Sequence, residues 1–172
     1  LMTGIAGASA VIVGVAARTV GAATASADAI RRALKLPAPK SKVTIPSGAE
    51  LDVEGISPLI TPNADFYRVD TALTVPNVDP STWRLVIDGM VDTRVELSFQ
   101  DLLDMGLDEY AITLTCVSNE VGGNLVGNAI WQGVPLREVL KMAGPKAGAD
   151  MILSTSVDGY TASTPLSAVT DE

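Results

Sequence analysis

The chain has 172 residues and a formal net charge of −8, which argues against a nucleic-acid partner because phosphate binding needs clustered Lys and Arg. It contains no histidine and a single cysteine, which excludes Ser-His-Asp and Cys-His catalysis, the usual zinc sites and an internal disulfide within these residues. The length suffices for one domain and an appendage.

The N-terminal segment is hydrophobic. Residues 1–17 are rich in Ala and Gly and reach the short limit of a membrane span, and a small-residue stretch follows at 21–27. Because the first residue is Leu and no charged segment precedes the run, we expect residues 1–27 to be a truncated transmembrane helix or signal anchor. The alternative is a buried soluble helix. The positive-inside rule leaves the orientation open, because a sparse set of basic residues follows the run.

Residues 28–54 are predicted to be a linker. Residues 29–36 favour a short amphipathic helix, after which prolines interrupt any regular element. These prolines are Pro37, Pro39 and Pro46 within the linker, and Pro58 and Pro62 just after it. Such a stretch is typical of a semi-extended tether between a membrane and a folded domain.

The folded domain is predicted to occupy residues 55–172. Residues 83–87 alternate as a strand does, Asp88-Gly89 favours a turn, and residues 94–97 are the predicted returning strand. A short helix is predicted over residues 99–105. Ser98 and Asp101 form a capping-box pattern at its start, and Gly106 is predicted to end it.

Residues 111–116 are predicted to form a strand that leads into a glycine-rich loop through Gly122, Gly123 and Gly127. A helix follows over residues 135–143, with Pro in its first turn and Gly144 beyond its end. Strands at 151–157 and 160–163 flank an Asp158-Gly159 turn, and another short helix is predicted from Thr164. Strands with short inserted helices indicate an α+β fold.

Cys116 is the first candidate for chemistry. It lies where an apolar strand meets a polar loop, a place that suits a ligand, although position alone favours a small hydrophobic core residue. Thiolates bind soft metals, and a chain without histidine requires such a metal to bring most of its own ligands.

The second candidate is the polar and aromatic segment 61–70. Phe66 and Tyr67 offer flat surface, and Arg68 is suited to holding a phosphate or sulfoxy anion. An edge strand with a surface Arg-Asp pair is an equally good interpretation. The glycine-rich loop does not match the dinucleotide fingerprint.

Four motifs occur in order, at residues 63–70, 83–89, 113–123 and 131–136. Together they resemble the oxidoreductase molybdopterin-binding domain of the sulfite oxidase superfamily, nearest to its actinobacterial membrane-anchored members. The resemblance covers about residues 55–172. It implies mixed β-sheets with short helices, and we expect the chain to hold only the first part of that domain, preceded by the hydrophobic helix.

The resemblance implies a molybdenum site. In this family the cysteine at the position of Cys116 ligates molybdenum, a pterin dithiolene adds two sulfurs, and oxo or hydroxo groups complete the coordination. The metal cycles between Mo(VI) and Mo(IV) and transfers an oxygen atom. Arg68 is carried over as a catalytic residue together with Cys116. The cofactor-binding residues implied are Asn63, Phe66, Tyr67, Arg68, Cys116, Ser118, Asn119 and Thr155.

The chain departs from the family in ways that bear on substrate. Sulfite oxidases proper follow the cysteine with basic residues, whereas residues 117–120 here are Val-Ser-Asn-Glu. A neutral sulfoxide is therefore at least as plausible a substrate as sulfite. No cytochrome-like segment with haem-ligating His occurs in these residues, so we expect no haem in this chain. The His-Gly motif of the domain's second half is absent, so we expect this stretch alone to be inactive.

We therefore predict a molybdopterin-dependent oxidoreductase, anchored in the cell membrane with its catalytic domain outside the cytoplasm. The resemblance implies export by a twin-arginine-type route, a small-molecule oxo donor or acceptor, and a separate electron-transfer partner. The alternative is a membrane-tethered, non-catalytic β-rich binding module that keeps the fold without the cofactor.

Overall fold

The computed structural model describes residues 29–72 and 76–170. The hydrophobic helix predicted for residues 1–27 lies outside these ranges. Among the described residues, no helix is both long and apolar enough to cross a membrane.

The described part of the chain begins within a helix, and the long proline-rich stretch after it is irregular. Residues 29–33 form α1, so the predicted helix over 29–36 ends three residues early. The remaining helices and strands, in chain order, are β1 (Arg84–Ile87), β2 (Val95–Ser98), α2 (Phe99–Asp104), β3 (Asp108–Thr115), β4 (Val126–Gly133), α3 (Leu136–Ala143), β5 (Met151–Thr155), β6 (Thr161–Pro165) and α4 (Ser167–Thr170).

The strands pair as consecutive antiparallel hairpins. Within the described ranges they form three two-stranded sheets, β1–β2, β3–β4 and β5–β6. Leu85 lies opposite Leu97 in the first sheet, and Tyr110 lies opposite Trp131 in the second. Short helices among small antiparallel sheets confirm the predicted α+β class.

Local signals fix the ends of α2. The Ser98 side chain accepts a hydrogen bond from the Asp101 amide at 3.1 Å, and the Asp101 carboxylate accepts one from the Ser98 amide at 2.7 Å. This reciprocal capping box satisfies donors that the first turn leaves unpaired, and it confirms the prediction. The helix ends at Asp104, one residue before the predicted Met105.

α3 begins at Leu136, one residue later than predicted, with Pro135 as its N-cap. It ends at Ala143, and the C-cap Gly144 has a φ of 65°, in the left-handed region that glycine adopts without a steric penalty.

The hydrophobic core lies between the first hairpin and α3. Val95 and Leu97 point inward from alternate positions of β2, and Val139 and Ala143 meet them from one face of α3. The β3–β4 hairpin lies outside this core. Its apolar side chains are half exposed, as Ile112 at 50% shows.

Further element predictions are wrong, among them β5, which ends at Thr155 and not at residue 157. Residues 126–133 form β4, so Gly127 is a buried strand residue and not part of the loop. Gly and Asn are poor strand formers, and pairing with β3 overrides that preference. β3 begins at Asp108 and ends just before Cys116. β6 continues through Pro165, so the last helix begins at Ser167 instead of Thr164.

Part of the predicted linker lies against the start of β3. The Lys40 amide donates to the Leu107 carbonyl at 2.7 Å, and the Glu109 amide donates to the Ser41 carbonyl at 3.1 Å. The Ser41 hydroxyl also donates to the Asp108 carboxylate at 2.8 Å. The domain boundaries at residues 28 and 55 stay predictions.

Candidate metal and cofactor site

Cys116 begins the connection between β3 and β4. Its amide donates to the Leu125 carbonyl at 2.9 Å, which closes the base of the loop over residues 116–125. Its own carbonyl accepts from the Asn119 amide at 3.0 Å, which folds the next residues into a turn. The thiol is free and only partly buried. Cys116 is therefore held by the backbone at the end of a paired strand, with its side chain accessible.

Side chains and glycines shape the rest of this loop. The Asn119 side-chain oxygen accepts from the Leu125 amide at 2.8 Å, so Asn119 braces the loop from within. A Cβ atom on Gly123 would lie 2.6 Å from that same oxygen. Gly122 has a φ of 78°, which glycine adopts readily. The glycine-rich composition is thus a requirement of the loop that follows Cys116.

Ser118 acts on the Cys116 thiol directly. The two side chains approach to 3.0 Å between Sγ and Oγ. Hydrogen bonds from the Ser118 hydroxyl and then its amide hold the pKa of Cys116 below its usual range, because they stabilise the thiolate. The thiolate is the form that binds metals.

Ser118→Ala should raise the pKa of the Cys116 thiol, because the hydroxyl that stabilises the thiolate is lost. The rate of thiol alkylation rises with pH as the thiolate forms, so we expect the variant's profile to shift to higher pH. Cys116 is the only cysteine of these 172 residues, which makes it the reporting thiol in this chain. Ser154→Ala, an exposed serine of β5, is the matched control. Superimposable profiles for wild type and Ser118→Ala would refute the assigned role of the hydroxyl.

Segment 59–67 lies along β4. The Thr61 amide donates to the Asn128 carbonyl at 2.9 Å, and the Asn128 amide donates to the Thr61 hydroxyl at 3.2 Å. The Phe66 ring stacks on Tyr67 at 5.4 Å and meets Trp131 edge-on at 6.1 Å between centroids. The structure thus places Phe66 and Tyr67 on the hairpin whose loop carries Cys116.

Three of the predicted site residues lie exposed at the surface. Arg68 pairs with Asp70 at 2.5 Å, and its side chain is 50% exposed. This is the surface Arg-Asp pair that the sequence offered as the alternative interpretation. Asn63 is an exposed turn residue. Thr155 is exposed at the end of β5, opposite Thr161.

The segment that carries Arg68 also reaches the β5–β6 hairpin. The Thr71 hydroxyl donates to the Asp158 carboxylate at 2.8 Å. Asp158 lies in the turn that connects the two strands, and it also accepts from the Ser156 hydroxyl. This hydrogen bond connects the chain just after Arg68 to the β5–β6 hairpin, which also carries Thr155.

Sequence reasoning missed Asn128. No predicted element contains it, and only the register of β4 places it opposite Thr113. The Thr113 hydroxyl donates to the Asn128 side-chain oxygen at 2.6 Å. No periodicity in the sequence signals this pair, because the strand itself contains residues of low strand propensity.

The donor set fits a metal that arrives with ligands of its own. Over residues 29–72 and 76–170, no group of three or more His, Cys, Asp or Glu side chains is placed to hold a bare metal ion. The chain offers an accessible thiol of lowered pKa in a loop braced by backbone hydrogen bonds. A molybdenum ion already held by a pterin dithiolene matches that single soft donor.

Comparison with known proteins identifies the family of the chain. Residues 72–172 match the family model of the oxidoreductase molybdopterin binding domain. Human mitochondrial sulfite oxidase is 35% identical over 49% of this chain and 18% of its own length. Spinach NADH nitrate reductase is 28% identical over 49% of this chain and 11% of its own length. The uncharacterized oxidoreductase YuiH of Bacillus subtilis is 31% identical over 51% of this chain and 42% of its own length.

The fold has a counterpart among solved structures. The sulfane dehydrogenase SoxCD from Paracoccus pantotrophus superposes with a TM-score of 0.59 at 22% sequence identity, over 69% of this chain and 34% of that chain. At this identity the likeness concerns the fold. The chain spans less than half the length of each of these proteins.

Proposed function

Because the chain belongs to the oxidoreductase molybdopterin-binding domain family of the sulfite oxidase superfamily, we propose that it forms part of a molybdenum-dependent oxidoreductase that transfers oxygen atoms. Cys116 supplies the protein ligand to the metal. The observation that carries the proposal is the placement of this thiol, partly exposed at the base of a braced loop and beside Ser118.

The residues of this chain prepare the thiolate and hold it in place. The amide of Cys116 is bonded across the hairpin, and Asn119 fixes the far side of the loop. Ser118 stabilises the deprotonated sulfur. When bound, the molybdenum-pterin group supplies the two-electron oxygen-atom transfer. The protein orients the metal ligand and controls access to the metal. A ligand on a rigid element is held close to the geometry that metal binding requires.

Phe66 and Tyr67 are proposed to contact the flat pterin system. Both are half buried, and both are anchored to β4 through the Phe66 ring. Aromatic faces bind planar rings by stacking and exclude water from the contact. We assign Asn63, Arg68 and Thr155 to the same site on the resemblance alone.

The charges around the loop favour a neutral substrate. Glu120 lies in the Cys116 loop, and the guanidinium of Arg68 is already paired with Asp70. A carboxylate repels an anion such as sulfite, and a neutralised guanidinium attracts it weakly. We therefore propose a sulfoxide or another neutral oxo donor or acceptor as substrate.

The substrate class is tested with full-length protein produced in a host that makes the molybdenum cofactor. Reduction of a neutral sulfoxide by a reduced dye is expected to be faster than oxidation of sulfite by an artificial acceptor. Glu120→Arg should lower the KM for sulfite by on the order of tenfold, because it reverses the local charge. Glu54→Arg makes the same charge change at an exposed position outside the loop and should leave that KM unchanged.

Two results would overturn these assignments separately. Faster turnover of sulfite than of any sulfoxide by the wild type would exclude the neutral substrate. Purified full-length protein without molybdenum or pterin would exclude the enzyme and favour the tethered binding module.

We propose that residues 1–27 anchor the protein in the cell membrane, with the catalytic domain outside the cytoplasm and electrons exchanged with a separate partner. The support is the apolar run of residues 1–17 and the small-residue stretch that follows it. Protease protection in intact spheroplasts tests the orientation, since an external domain is digested without lysis. Digestion only after lysis would contradict it.

A further inference from the structure

Two adjacent residues of β4 meet segment 59–67 from opposite faces of the strand. Gly127 is buried beneath the Phe66 ring, and a Cβ atom there would lie 2.7 Å from Cε2 of that ring. Successive residues of a strand point to opposite faces, so Asn128 projects from the other side. The segment is therefore held by a close ring contact on one face and by hydrogen bonds on the other.

The Asn128 side chain uses both ends of its amide. Its oxygen accepts from the Thr113 hydroxyl at 2.6 Å, and its NH₂ group donates to the Leu59 carbonyl at 2.8 Å. Its backbone amide and carbonyl both bond Thr61. The amide of Asn128 accepts and donates through two separate atoms, whereas a carboxylate of the same size cannot donate and an alkyl group can do neither.

These contacts join the two parts of the proposed site. Thr113 lies on β3, which ends just before Cys116, and Leu59 and Thr61 begin the segment that carries Phe66 and Tyr67. We propose that Asn128 is a positioning residue, which fixes segment 59–67 against the Cys116 hairpin through Thr113 and Leu59. This role rests on the proposed function for its effect on catalysis, and on the hydrogen bonds alone for its effect on the segment.

The test compares Asn128→Ala with Gln132→Ala in the cofactor-loaded full-length protein. Gln132 is a matched control, because its amide lies on the same face of β4 and bonds Glu109, away from the segment. In Asn128→Ala, amide hydrogen exchange at Thr61 should accelerate by roughly tenfold, because its backbone bond loses its support. kcat should fall by on the order of tenfold, the effect of a misplaced site residue. Gln132→Ala should leave both unchanged.

Two further variants distinguish the hydrogen bonds of the Asn128 amide from the volume of its side chain. Asn128→Asp keeps the size but cannot donate to Leu59, so it should resemble Asn128→Ala. Thr113→Val removes the hydroxyl donor, and combining it with Asn128→Ala should add little, since the two residues act as one unit.

The outcomes are distinguishable from those of the proposed function. Wild-type exchange at Thr61 in Asn128→Ala would overturn the positioning role even if the enzyme is a molybdenum oxidoreductase. Accelerated exchange with unchanged kcat would overturn its importance for the site. A wild type without molybdenum would overturn the proposed function, and the exchange rates would still decide whether Asn128 holds the segment.

Discussion

Replacing Cys116 with serine is expected to lower turnover by more than about a hundredfold, beyond the usual loss when a residue supporting a metal ligand is removed. Serine keeps the size of the side chain but offers a hard oxygen that is protonated at neutral pH. A soft thiolate is the better partner for a metal already bound by sulfur. Steady-state assays of the full-length protein with its preferred oxo substrate measure the effect.

The loss should occur without unfolding. Cys116 is partly exposed and lies outside the core formed by Val95, Leu97, Val139 and Ala143. The free energy of unfolding should therefore change by no more than roughly 0.5 kcal/mol. Ser118→Ala is an intermediate control, because it should raise the pKa of the Cys116 thiol but keeps the sulfur in place. A Cys116→Ser protein that turns over like the wild type would exclude the thiol from the reaction.

Gly127→Val is expected to destabilise the protein by about 1–3 kcal/mol, the usual cost of overpacking a filled site. The new Cβ would lie 2.7 Å from the Phe66 ring, which is also packed against Tyr67 and Trp131. The ring must leave or β4 must shift. The midpoint of denaturant unfolding and the Trp131 fluorescence both report the change.

Gly133→Val provides the matched comparison on the same strand. A Cβ atom on Gly133 meets nothing within 4 Å, and valine suits a strand better than glycine does. This variant should be as stable as the wild type or slightly more so. Equal destabilisation by the two substitutions would show that the close contact with Phe66 is not the reason why position 127 requires glycine.

Elements with short-range signals were predicted from the sequence. The Ser98 capping box, the glycine that ends α3 and the Asp158-Gly159 turn each act within a few residues, and each is present. β4 was missed because its stability comes from pairing along the whole of β3. This pairing, which places Tyr110 opposite Trp131, cannot be predicted from the local sequence of β4, because Gly and Asn interrupt its strand pattern.

The site divides in the same way. Cys116, Ser118 and Asn119 are close in sequence, and the structure brings them together in one loop. Phe66 reaches the same hairpin through its edge-on contact with Trp131. Arg68 bonds its near neighbour Asp70, which sequence reasoning had given as an equal alternative.

Asn128 could not be identified as a positioning residue in advance. Its role depends on Thr113 and Leu59, which come close only after β4 pairs with β3 and segment 59–67 docks. Contacts between residues far apart in sequence follow from register and docking, and single-sequence patterns do not encode them.

X-ray absorption at the molybdenum edge tests the central claim, ligation by Cys116, most directly. Because we propose that Phe66 and Tyr67 also contact the pterin, metal content alone does not isolate the role of the thiolate. We predict that the full-length wild type shows a sulfur shell that exceeds the pterin dithiolene by the Cys116 thiolate, and that Cys116→Ser loses this additional sulfur or the metal itself. An identical sulfur shell in the two proteins would contradict the assignment of Cys116 as the metal ligand.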